Sequence, residues 1–281
     1  SPSGTGSNGS NTFDYAGGQG GMVISSLDLA GITDATLAFE SGIDPNSLSV
    51  SGDSNGDLTL SLDANDKVVL QGALSQNAAN YGIQAISFAD GTTLSYAQLL
   101  EMADTGSSTN TSLYGDTGAN VFDSKGFATY EQGNGGDDMF LFNPGYGAQR
   151  INEIDDAASP GNVISLGSGI APTDVTVTAG GADNRDVLLT IGTSGDSIDL
   201  LNMRVAQQFG IQAVDFPDGT VWTRDQVVSW ADATAPASGL PDPSMAALTQ
   251  AMGSFAPPPP LPPPSSLTGS TVPDIALAPP H

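Results

Sequence analysis

The chain has no cysteine, a single histidine, and only six lysines and arginines among 281 residues. Without cysteine there are no disulfides, no thiolate nucleophile and no thiolate metal site. The histidine, His281, ends a proline-rich stretch. That placement argues against Ser-His-Asp triads, histidine acid–base chemistry and histidine-ligated zinc. The basic residues are too few for a phosphate-binding footprint, and 31 acidic residues bring the net charge to −25. Nucleic acid is therefore excluded as a partner. No G-x-x-x-x-G-K loop is present, and Gly17-Gly18-Gln19-Gly20-Gly21 is followed by no base to meet a phosphate. No apolar run approaches the roughly 18 residues that span a membrane. The opening Ser1-Pro2-Ser3-Gly4 has no apolar core of a Sec-type signal, which reads as a processed form or a piece of a longer protein.

What is present is a duplication. Phe13-Asp14-Tyr15, Gly18, Gly20 and Ile24 match Phe140-Leu141-Phe142, Gly145, Gly147 and Ile151 at a constant offset of 127 (140 minus 13). The register continues from Leu37–Leu48 onto Ile164–Val175. It returns, after small insertions, where Ile83–Thr92 faces Ile211–Thr220. Glycines, turn residues and alternating apolar positions are what match, so a scaffold was copied. The acidic surplus has a plain reading, solubility through self-repulsion, and a sharper one, neutralisation by divalent cations.

Each copy predicts a series of short strands. Asp57-Leu58-Thr59-Leu60-Ser61-Leu62 and Asp186-Val187-Leu188-Leu189-Thr190-Ile191 alternate with the period of two that marks half-buried strands. Each is followed by a turn and a hairpin partner. Asp90-Gly91 and Asp218-Gly219 signal a second hairpin. Ser95 and Thr223 then cap a short helix in each copy. The expected fold is all-β: two tandem β-roll- or sandwich-like modules, each closed by a short helix, then a Pro-rich extended tail. The expected divisions are a lead over 1–12, a first module over 13–104, glycine turns over 105–139, a second module over 140–232, and a tail over 233–281. In that tail Met245–Met252 predicts a short helix, and Pro257–Pro264 polyproline II.

Three glycine-rich turns share the form G-x-x-G-x-[ND]-x-F: Gly6–Phe13, Gly115–Phe122 and Gly133–Phe140. The last two lie 18 residues apart (133 minus 115), two units of nine. The sixth position holds Asn11, Asn120 and Asp138, so only the third turn keeps a carboxylate there. The pattern is similar to the calcium-binding nonapeptide of RTX β-rolls, which implies calcium: the ion takes six to eight hard oxygens, more than one turn supplies, so stacked turns would share it. Asp138, Asp137, Asp116 and Asn120 are the candidate metal ligands. Glu153, Asp155 and Asp156 form a further acidic cluster, expected as a solvated loop because no partnering base accompanies it.

The longer units resemble the haemolysin-type calcium-binding protein related domain, through Gly169-Ile170-Ala171-Pro172-Thr173-Asp174-Val175 and Phe216-Pro217-Asp218-Gly219-Thr220-Val221-Trp222. Leu248–Pro258 is similar to the C-terminal segment of RTX proteins exported by type I secretion. The resemblance implies a secreted, non-catalytic structural module of a bacterial protein, extracellular or at the cell surface. Calcium is the implied cofactor and the type I secretion machinery the implied partner. The alternative is a self-assembling subunit of a filament, surface layer or adhesive matrix, with a second copy of itself as partner.

Overall fold

The computed structural model describes residues 11–25, 34–75, 81–154 and 161–235. The N-terminal lead up to residue 10, Asp155 and Asp156, and the tail from residue 236 lie outside them, with the helix and polyproline readings made there.

In the second copy the chain coils between two sheets. Strands β9 (Ser112–Tyr114), β11 (Tyr130–Gln132), β13 (Ala148–Asn152) and β17 (Asp196–Leu200) pair in parallel in one sheet. Strands β10 (Val121–Asp123), β12 (Met139–Phe142), β14 (Val163–Leu166) and β18 (Ala213–Asp215) pair in parallel in the other. Successive strands belong to opposite sheets, which is the course of a β-roll. A hairpin of β15 (Val175–Gly180) and β16 (Asp186–Ile191) joins the first sheet antiparallel to β17. The second sheet ends on β19 (Val221–Thr223), antiparallel to β18, and helix α2 (Arg224–Thr234) follows at once.

The first copy repeats this course. Strands β1 (Asn11–Tyr15), β3 (Ala35–Phe39), β7 (Ile83–Phe88) and β8 (Thr93–Ser95) make one sheet. Strands β2 (Gly21–Ile24), β6 (Lys67–Leu70), β5 (Leu58–Ser61) and β4 (Ser49–Gly52) make the other. Helix α1 (Tyr96–Ala103) closes it. Both helices start in a capping box, Ser95 with Gln98 and Thr223 with Gln226. The glycine-turn stretch between the copies is no bare connector: β9, β10 and β11 supply three strands of the second copy's sheets.

Alternation puts one face of each strand inside. In register, Phe122, Phe140, Ile164 and Val214 form one inner column. The Phe122 and Phe140 rings stack at 5.0 Å. Each fully buried side chain of this size contributes roughly 1.5–3 kcal/mol over its exposed state. A separate buried cluster, from Phe13 to Ala103, fills the first copy.

Many carboxylates serve the backbone. Asp196 accepts the N–H groups of Gly145 and Gly147, both at 2.8 Å, and Asp66 accepts those of Gly18 (2.5 Å) and Gly20 (2.8 Å). Asp57 accepts Gly72 N at 2.8 Å, and Asp186 accepts Asn202 N at 2.7 Å. These pairs occupy matching places in the two copies. Part of the acidity is thus a set of turn anchors, and the backbone bonds hold Asp66 and Asp196 below the usual carboxylate range.

Candidate metal centre

The glycine turns of the second roll stack along one edge, and their sixth positions form a ladder through the interior. Asn120 N donates to Asp138 Oδ1 at 2.7 Å, and Asp138 N donates to Asn162 Oδ1 at 2.8 Å. At the other end, Asn120 Nδ2 donates to Asp104 Oδ2 at 2.9 Å. All four side chains are buried. Asp104 lies just past the end of α1, so this helix of the first copy delivers the first rung.

Two glycines make room for oxygen atoms. A Cβ at Gly133 would collide with Asp138 Oδ2 and Glu153 Oε2. At Gly115 it would sit 2.5 Å from Asn120 Oδ1 and 2.8 Å from Gly133 O. The sixth-position side chain of each turn therefore folds back over that turn's own first glycine. In sheet register the next residue to occupy that first position is Glu153, after Asn152 pairs with Gln132. Its carboxylate enters the roll where the other turns carry glycine.

The expectation that Glu153 lies in a solvated loop is thereby corrected: its side chain is fully buried. Of the sequence-selected ligands, Asp116, Asn120 and Asp138 are buried at one corner of the roll. Asp116 Oδ1 accepts Gly118 N of its own turn at 2.7 Å. Asp137 stands apart, exposed, with Oδ1 accepting Gly161 N at 2.9 Å.

Glu131 was not singled out by sequence. It sits in β11 between Leu113 and Ile151, wholly buried, and neither carboxylate oxygen has a hydrogen-bond partner. Burial, with Asp123 and Asp104 adding repulsion, pushes its carboxyl up to about 8. Burial raises Asp104 strongly too; its bond from Asn120 opposes this, and the charges of Asp116 and Asp138 add to the rise. Asp104 Oδ1 and Asn120 Oδ1 are likewise buried without a partner.

Oxygen donors turned inward at glycine cradles, some of them unsatisfied, suit a hard cation. Among the described residues no three Asp, Glu, His or Cys side chains converge into a ready-made metal site. Amide and backbone oxygens would have to complete any coordination shell. On those terms the residues fit calcium, which accepts carboxylate, amide and carbonyl oxygen alike.

The model of the haemolysin-type calcium binding protein related domain matches residues 57–98 and 186–226. The two matched stretches occupy corresponding places in the two copies, each running from the central hairpin strand into the closing helix. No curated protein matches the chain. Among solved structures, the extracellular lipase LipA from Serratia marcescens is similar at 14% identity and a TM-score of 0.22. That alignment covers 78% of this chain and 38% of the lipase chain, so this chain spans well under half of that protein.

Proposed function

We propose that the chain is a secreted, non-catalytic structural module of the RTX type at the C-terminal end of a type I-exported bacterial protein, with calcium assisting the folding of its second roll. The observation that carries this reading is the set of buried, partnerless oxygens of Asn120 and Glu131 on the coils that hold the glycine turns. Asp138 and Glu153 would hold an ion from two successive coils, with Asn120 beside them. A bound divalent cation would offset the charge that these coils bury. Its binding free energy would then appear as folding free energy. At low cytosolic calcium the acidic chain stays unfolded and threadable; outside the cell the ion favours the roll.

Urea unfolding of the whole chain, followed by circular dichroism in millimolar calcium and in chelator, tests this. Calcium should raise the midpoint; identical spectra and midpoints in both solutions would sink the calcium part. A second reading, self-assembly, is favoured by the free edges of β1 and β2, each paired on one side alone among the described residues. Such edges accept an added strand. Sedimentation in calcium distinguishes the two, since a strict monomer at all concentrations contradicts assembly.

A further inference from the structure

A cavity of about 700 Å³ lies between α1 and the first coil of the second roll. Ala97, Leu100 and Glu101 wall it from the helix, and Val121 and Leu141 from the sheet. Asp104, Asp116 and Asn120 line it as well. Asp104 is 3% exposed and Asn120 5%, and their mutual hydrogen bond leaves Asp104 Oδ1 and Asn120 Oδ1 without a partner. Asp116, also 3% exposed, has Oδ1 engaged by its own turn. The basic residue on the lining, Lys125, is bound to Asp123 at 3.0 Å and its side chain is half exposed. Buried oxygens left unmet are costly, and here two of them belong to hydrogen-bonded residues on the lining of one space.

We propose that this junction is a hard-cation site of the calcium class, with Asp104, Asp116 and Asn120 as ligands, and that loading it ties the closing helix of the first copy to the second roll. The donors are all oxygen, without nitrogen or sulfur, which selects calcium over zinc-like ions. Asp104 and the helix that delivers it belong to no glycine turn. Cation binding in the turns would therefore reach the first copy through this residue. The inference rests on the calcium reading above and adds to it a second site and a linkage.

Hydrogen exchange and calorimetric titration of the full chain with calcium chloride test it, on wild type, Asp104→Asn, Asp116→Asn and Asp138→Asn. Asp104→Asn keeps its shape and an acceptor for Asn120 Nδ2, and far-UV circular dichroism verifies the fold of each variant. In wild type, calcium should slow exchange across α1. In Asp104→Asn and Asp116→Asn that slowing should need roughly tenfold more calcium or vanish, because a charged ligand is gone. The response of residues 133–142 should persist in those two variants and be lost in Asp138→Asn. If calcium binds yet α1 is unaffected, or both junction variants titrate like wild type, the junction site is wrong and the turn site stands. If wild type neither releases heat nor gains protection anywhere, both readings fall.

Discussion

At Glu131 the second roll places an ionisable group in a column of aliphatic neighbours, Leu113 and Ile151 on either side. With the folded carboxyl at about 8 against an ordinary 4.5, the unfolded chain loses its proton first as pH rises. Stability from this group is therefore present below its unfolded value, falls across the interval up to about 8, and is gone above it. In metal-free buffer the urea midpoint should be higher near pH 5 than near pH 9, and Glu131→Gln should flatten that slope. Asp196 works in the opposite sense, since its carboxyl is held down. Its contribution is present above the ordinary aspartate value and is lost as pH falls through the lower, folded one. Asp196→Ala should cost about 1–3 kcal/mol in denaturant unfolding at neutral pH, for the two glycine N–H groups it strands. The motif residue Asp138 was legible because the glycine spacing marks it. Asp104, Glu131 and Glu153 were not, because the end of α1 turns the first inward and the coil's register the other two, and nothing in their local sequence distinguishes them from solvated acids.

Among elements, the hairpins and both helices were legible for local reasons: period-two alternation, Asp-Gly turns, and capping residues at Ser95 and Thr223. What local signals do not carry is which strands become neighbours. β11 pairs with β9 and β13 across intervening chain, and the coil appears only when apolar columns must stack. Helix α2 adds a feature that α1 lacks. Its first residue, Arg224, is buried and donates to the carbonyls of Met203, Ala206 (2.8 Å), Phe209 (2.5 Å) and Ile211 (3.4 Å). At the same place in α1, Tyr96 donates its hydroxyl to Ala73 O at 3.0 Å. Arg224 thus pins the irregular segment before β18 by charge-assisted bonds, with no carboxylate among these four partners. Arg224→Met should cost on the order of 3 kcal/mol, because several buried carbonyls lose their donor together. Thermal unfolding measures this, and a change within 0.5 kcal/mol, about the spread of neutral surface substitutions, would contradict the role.

Over the whole molecule the two copies share a scaffold yet differ in what they bury. Among the described residues the second buries Asp116, Glu131, Asp138, Glu153 and Asp196, whereas the first buries Asp66, bonded to glycine amides, and Asp104 at the end of α1. Dependence on cations should follow that division. With chelator present, hydrogen exchange should accelerate over 112–216 and change little in the first copy between residues 35 and 95. Equal acceleration in both would contradict it. The duplication was plain in the sequence; the unequal sharing of buried charge was not, since it turns on which side of each strand an acid occupies.

The aspartate clamps on the glycine turns carry a consequence beyond each turn. Asp196 and Gly145 are 51 residues apart, and Asp66 and Gly18 are 48 apart. Each clamp thus closes a long loop, the task a disulfide performs in many exported proteins. A cross-link made of amide hydrogens and a carboxylate is indifferent to reductant, needs no oxidase or isomerase, and re-forms whenever the chain refolds. It opens to acid rather than to thiols, so the chain can pass between reducing and oxidising surroundings with its staples unchanged.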